Sequence, residues 1–170
     1  MKRLLGFALL AALIPATGQA QEYQPPKAMV HLNYGIGTAR AEGEGARIQF
    51  LGGGGQGLLY KGFGAGADVG YLFPKESFGE GFGLLSTNGS YHFFTGREEQ
   101  KVVPFVTAGH SLAFREGTAN LFNFGGGVDF WMTQKAALRL EMRDHVWPGG
   151  DGCCNPTAHL ILFKVGIVGR

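Results

Sequence analysis

The stretch Ala136-Ala137-Leu138-Arg139-Leu140-Glu141-Met142-Arg143-Asp144-His145-Val146-Trp147 decides the fold class. Leu138, Leu140, Met142 and Val146 fall on one set of alternate positions, and Arg139, Glu141, Arg143 and His145 on the other. Successive side chains of a β-strand point to opposite faces, whereas a helix would mix the two sets. The segment therefore reads as a strand with one apolar and one charged face.

The same period recurs on both sides of it. Phe122, Phe124, Val128, Phe130 and Met132 oppose Asn123, Gly125, Gly127, Asp129 and Trp131. Downstream, Ile161, Phe163, Val165 and Ile167 oppose Lys164 and Gly166. Upstream, Ala65, Ala67, Val69, Tyr71 and Phe73 oppose Gly64, Gly66, Asp68 and Gly70. Eight strands are predicted, at about 28–38, 47–59, 62–73, 81–94, 101–114, 120–132, 136–147 and 158–169. Each is near or above the length that a tilted strand needs to cross hydrocarbon. The connections 60–61, 96–100 and 133–135 are read as short, and 39–46, 74–80, 115–119 and 148–157 as mostly longer. Short periplasmic turns and longer outer loops have this alternation, and an even strand number returns both chain ends to one side.

What the second face carries separates a membrane barrel from a soluble sandwich. A solvent face is ordinarily rich in Lys, Glu, Ser and Thr, whereas here it is mostly Gly with isolated charges. The chain of 170 residues holds 30 Gly and 14 Phe. Strand interiors normally avoid Gly, so this abundance points to a crowded, tightly curved interior. The apolar face carries Phe, with Tyr34, Tyr60, Tyr71, Tyr91, Trp131 and Trp147 near strand ends as candidates for interfacial girdles, although Trp131 has inward parity. A closed barrel satisfies every backbone polar group within a bilayer because closure removes the sheet edges. The expected fold is thus all-β: an eight-stranded antiparallel up-and-down transmembrane β-barrel over 28–170.

The first twenty residues are set apart from this domain. Lys2 and Arg3 precede an apolar run from Leu4 to Ile14, Pro15 breaks it, and Thr17-Gly18-Gln19-Ala20 offers small residues for cleavage. That is the layout of a secretory signal peptide at 1–20, followed by a periplasmic segment at 21–27. The run is too short for a spanning helix. The formal net charge of +2, without a basic stripe, gives no footprint for nucleic acid. The two cysteines, Cys153 and Cys154, are adjacent in the loop before the last strand. They cannot staple a distant loop to the core; a vicinal disulfide, intermolecular pairing and free thiols all remain open, with an oxidising compartment favouring some disulfide.

Three segments carry a family resemblance: Val103-Pro104-Phe105-Val106-Thr107-Ala108-Gly109, Asn120-Leu121-Phe122-Asn123-Phe124-Gly125-Gly126-Gly127-Val128-Asp129, and Leu138-Arg139-Leu140-Glu141-Met142-Arg143-Asp144-His145. They resemble small outer-membrane β-barrel proteins of the porin-like superfamily, similar in architecture to the barrel of outer membrane protein A. The resemblance implies an outer-membrane location, with outer-membrane lipids and the assembly machinery as partners. Its motifs specify fold far better than function. Such barrels often end on an aromatic residue that the insertion machinery reads, whereas this chain ends Val168-Gly169-Arg170.

The candidate site is the set of inward charges: Arg47, Asp68, Asp129, Arg139, Glu141, Arg143 and Lys164. An eight-stranded barrel is about wide enough for side chains to fill. Opposite charges confined there should pair, because an unpaired buried charge is costly. The reading is a salt-bridge network that plugs the lumen, against a catalytic or transport site made of the same groups. No catalytic residue, metal site or cofactor is assigned. His31, His92, His145 and His159 lack metal-ligand spacing and are expected to line the lumen or rims. Gly52–Gly57 matches G-x-G-x-x-G, but no helical period follows it, so nucleotide binding is not supported. His110-Ser111 with Glu116 invites comparison with barrel enzymes that deacylate lipid A. Adjacent strand residues point to opposite faces, and the deacylase-like His-x-Ser-Asn spacing is absent. The expected role is structural, in envelope integrity or surface contact. The alternatives are a narrow pore for small solutes, a lipid-modifying barrel enzyme, and a soluble barrel with its apolar face inside around an apolar ligand.

Overall fold

A computed structural model describes residues 27–41, 44–95, 100–149 and 157–170. The expected signal peptide, most of the segment preceding the barrel, and Cys153 and Cys154 lie outside the described residues. Eight strands follow in chain order: β1 Ala28–Ala41, β2 Glu44–Tyr60, β3 Phe63–Pro74, β4 Phe82–His92, β5 Val102–Phe114, β6 Thr118–Trp131, β7 Ala136–Trp147 and β8 Ala158–Gly169. Each pairs antiparallel with the next, and β1 pairs with β8 from Val30↔Gly169 to Arg40↔His159, which closes the barrel. Closure leaves no unpaired strand edge. A 3-10 turn at Phe78–Glu80 is the sole helical element among the described residues.

Alternation holds around the ring. On β7, Arg139, Glu141, Arg143 and His145 are buried while Leu140 and Met142 are exposed. The outer wall is apolar: Leu32 is 74% exposed, Ile167 63%, Phe122 63% and Val69 56%. Phe and β-branched residues exposed in continuous rows suit contact with acyl chains and would be an aggregation surface in water.

Two connection lengths differ from expectation. Pairing of β1 with β2 runs to Ala41↔Glu44, so the expected loop 39–46 shrinks to residues 42–43. On the side of the chain ends, β4 stops at His92 and the connection before β5 spans 93–101. Gln100 holds that turn: its side-chain oxygen accepts from Thr95 N at 2.7 Å, and its amide donates to Phe93 O at 2.9 Å and Val102 O at 3.0 Å. Length therefore does not distinguish the two rims cleanly, and the even strand number alone puts both ends of the barrel domain on one rim.

The β2–β3 turn is built by two residues. Lys61 has φ 45° and Gly62 φ 92°. Positive φ at both central positions is the type I′ pattern, whose twist matches that of the flanking strands. A Cβ on Gly62 would also meet the carbonyl of His92.

Both ends of the lumen are apolar. At the rim nearest the chain ends, Met29, Val103, Trp131, Ala137 and Val168 form a buried cluster. At the far end Ile48, Phe50, Leu72, Leu84, Leu121 and Leu162 form another, with Trp147 packed against it. This corrects the expected girdle position of Trp131 and Trp147. Both have the inward parity of Arg139 or Asp129, so their rings cap the lumen and do not lie on the outer wall.

Candidate functional site, a charged layer inside the barrel

Between the two apolar clusters lies a polar layer. Strand parity brings Asp68, Asp129, Arg139, Glu141, Arg143 and Lys164 to the inner wall. Arg47 is not among them. It is exposed, because Ile48 and Phe50 hold the inward positions of β2 and place Arg47 on the outer face. The inward expectation for Arg47 is therefore corrected.

Two pairs follow directly from strand register. Asp129 of β6 sits opposite Arg139 of β7, and Arg139 binds it through both arms, Nε to Oδ1 at 2.7 Å and an Nη to Oδ2 at 2.8 Å. A planar guanidinium matches a carboxylate in this two-point geometry. The same guanidinium lies 4.4 Å from the centre of the Phe105 ring, which leaves its face partnered too. Glu141 of β7 sits opposite Lys164 of β8, with Nζ 3.4 Å from Oε1. Lys164 Nζ also lies 4.9 Å from the Phe50 ring centre, where the polar layer meets the far apolar cluster.

The third link crosses the barrel. Arg143 of β7 places Nη1 2.8 Å from Asp68 Oδ2 on β3, and its Nε 2.5 Å from Glu141 Oε1. In a ring of eight, β3 and β7 stand opposite each other. Asp68 is a hub: His31 of β1 meets Oδ1 through Nε2 at 2.5 Å, and Asn88 of β4 donates to Oδ2 at 2.6 Å. Side chains from three other strands thus converge on one carboxylate. Three carboxylates (Asp68, Asp129, Glu141) face three cations (Arg139, Arg143, Lys164), so the layer is balanced before any histidine protonates.

Glycines make room for these groups. A Cβ on Gly54 would lie 2.5 Å from Asp68 Oδ1, and one on Gly127 3.0 Å from the Phe105 ring. The Gly-rich inner face and the long charged side chains are two halves of one packing solution.

A second polar group was not assembled by sequence reasoning. Ser111 on β5 contacts Ser86 Oγ at 2.7 Å and His145 Nδ1 at 3.1 Å, and accepts from Asn123 Nδ2 at 2.9 Å. Register was the available signal, since Ser86↔Ser111 and Asn123↔His145 are direct cross-strand partners. His92 stacks on Phe105 at 5.2 Å and meets Gln56 Nε2 at 3.0 Å. His31, His92 and His145 face the lumen and His159 the outer face at the far rim, while His110 is exposed on the outer wall against Phe122. His110 and Ser111 stand on opposite faces, as alternation requires. No group of three or more His, Cys, Asp or Glu suited to hold a metal occurs among the described residues.

A lumen void of about 10 Å³ adjoins His31, Gln56, Asn88, Thr107, Arg139 and Arg143. That is room for about one water molecule.

No family model and no curated protein matches the sequence. Solved structures do match the fold. Neisserial surface protein A superposes with a TM-score of 0.63 at 14% identity, over 85% of this chain and 97% of that one. The fold is that of the small outer-membrane β-barrels. The N-terminal β-barrel domain of Pseudomonas aeruginosa OprF matches this barrel at TM-score 0.56 and 16% identity, over 85% of this chain and 99% of that one. The outer membrane enzyme PagL matches at 0.59 and 15%, over 80% and 97%. One barrel architecture thus serves an enzyme as well as a surface protein, so role must be argued from the lumen and the wall of this chain.

Proposed function

We propose that the protein is an integral outer-membrane barrel with a plugged lumen, serving the envelope structurally or as a surface-contact protein, with its chain ends on the periplasmic side. The observation that carries this is a lumen filled in three layers, with the Arg143–Asp68 bridge from β7 to β3 crossing the barrel axis in the middle one. Apolar clusters lie above and below it. A hydrated solute would have to break buried ion pairs and pass two unwetted layers, so a pore is disfavoured. A soluble lipocalin-like barrel would carry its charges outside, which is the reverse of the distribution seen. A lipid-modifying enzyme needs a nucleophile open to lipid, whereas Ser111 is fully buried and His110 faces away from it.

Fractionation of the exporting host tests the location: the protein should float with outer membranes and show heat-modifiable migration. Recovery in the soluble periplasm would overturn the reading. In planar bilayers the folded protein should show no steady conductance steps, and reconstituted protein should not hydrolyse phospholipid or lipid A analogues.

A further inference from the structure

The outer wall is not uniformly convex. Tyr34 and Ile36 of β1, Phe163 and Val165 of β8, and Leu140 and Met142 of β7 line a groove of about 500 Å³ on the lipid-facing side. These residues form two cross-strand rows, Tyr34↔Val165↔Leu140 and Ile36↔Phe163↔Met142, and Gly126 opposite Met142 bounds the second row without a side chain. The volume falls in the range of small-molecule sites.

The groove has a polar end. Two-residue steps stay on one face of a strand. From Ile36 they lead to Thr38 and Arg40, from Met142 to Asp144, and from Phe163 to Ile161 and His159. His159 Nδ1 lies 2.7 Å from Asp144 Oδ2. Two bare acceptors would repel at that separation, so Nδ1 carries the proton and donates to the carboxylate. Arg40 is the direct cross-strand partner of His159, and Arg47 stands opposite Thr38 on β2. Both arginines have exposed side chains. The group thus sets two exposed arginines beside a histidine, with the Asp144 carboxylate engaged by His159.

We propose that this groove and rim bind one phosphate-bearing lipid of the outer leaflet, with an acyl chain in the groove and its phosphate held by Arg40 and Arg47 beside His159. An apolar slot at hydrocarbon depth matches an acyl chain. Guanidinium forks at the rim match a phosphate, whose oxygens accept paired hydrogen bonds. The inference rests on the outer-membrane reading, because the rim away from the chain ends then faces the outer leaflet. It gives the outward position of Arg47 a role that the lumen does not.

Native mass spectrometry of the full folded chain, released from neutral detergent, tests it with dioleoyl phosphatidate and dioleoylglycerol, which lacks the phosphate, as probes of equal chain length. One phosphatidate should be retained at about tenfold higher apparent affinity, the factor that one charge-assisted hydrogen bond supplies. Arg40→Ala/Arg47→Ala should remove that preference and leave dioleoylglycerol retention unchanged. Leu140→Trp, which fills the groove from an exposed position, should weaken both lipids. Lys135→Ala at the opposite rim should change neither, and heat-modifiable migration checks that each variant folds. Equal retention of both lipids by the unaltered protein, or a preference that survives in the double variant, would overturn the proposal. Flotation of the same preparation with vesicles separates the two ideas. Failure to insert sinks the membrane reading and this one together, and insertion without lipid preference sinks this one alone.

Discussion

Asp129 and Arg139 show what a single residue does in this lumen. Their side chains are almost completely buried and joined by two hydrogen bonds. Removing one partner leaves the other charge buried without a counter-ion. Asp129→Asn is expected to destabilise the barrel by about 3–5 kcal/mol, measured as a shift in the urea unfolding midpoint in lipid vesicles. The double replacement Asp129→Leu/Arg139→Met should cost less than either single change, because it removes the desolvation penalty together with the pair. This pair was within reach of sequence reasoning. Both residues have inward parity, and the short β6–β7 turn sets them opposite each other. Arg47 was misread at the same scale for a local reason. Arg47, Ile48, Gln49 and Phe50 alternate clearly, but Ile48 and Phe50 belong to the apolar layer at the far end of the lumen, so there the apolar set faces inward and the polar set outward.

At the scale of the element, β7 divides lipid from lumen one residue at a time. Leu140 is 43% exposed on the outer face, between the buried Arg139 and Glu141. Leu140→Arg should cost about 2–4 kcal/mol if the position lies near the bilayer midplane. Arg47→Leu on the outer rim should change stability by less than about 1 kcal/mol, because depth sets the cost. Unfolding of both variants in vesicles of one lipid composition gives the comparison. The β2–β3 hairpin depends on its turn. Gly62→Ala puts a Cβ in the left-handed region and against the His92 carbonyl, at an expected cost of about 1–3 kcal/mol. Lys61→Asn should be neutral or slightly stabilising, since Asn tolerates positive φ. Thermal unfolding in detergent should rank the two variants in that order.

The whole molecule behaves as a closed rod with three internal layers, apolar at each end and charged in the middle. Asp68→Ala/Arg143→Ala removes the link across the axis and leaves both apolar layers in place. That variant should remain non-conducting in planar bilayers; steady current steps would make the bridge itself the plug. The buried pairs are shielded from mobile ions, so raising salt from about 0.1 M to 1 M should shift the unfolding midpoint little, whereas exposed pairs would be screened over this range. Strong salt sensitivity in equilibrium unfolding would show that water and ions enter the lumen.

Strand number, strand order and the faces of β3, β6, β7 and β8 were determined by the sequence alone, because period-two alternation is local and survives in the linear chain. The bridge from Arg143 to Asp68, the convergence of His31 and Asn88 on the same carboxylate, the end layers capped by Trp131 and Trp147, and the groove beneath Arg40 and His159 were decided only by the tertiary structure. Each depends on closure. Joining β1 to β8 fixes which strands stand opposite and which outward rows adjoin, and that relation is a property of the ring that no single strand encodes.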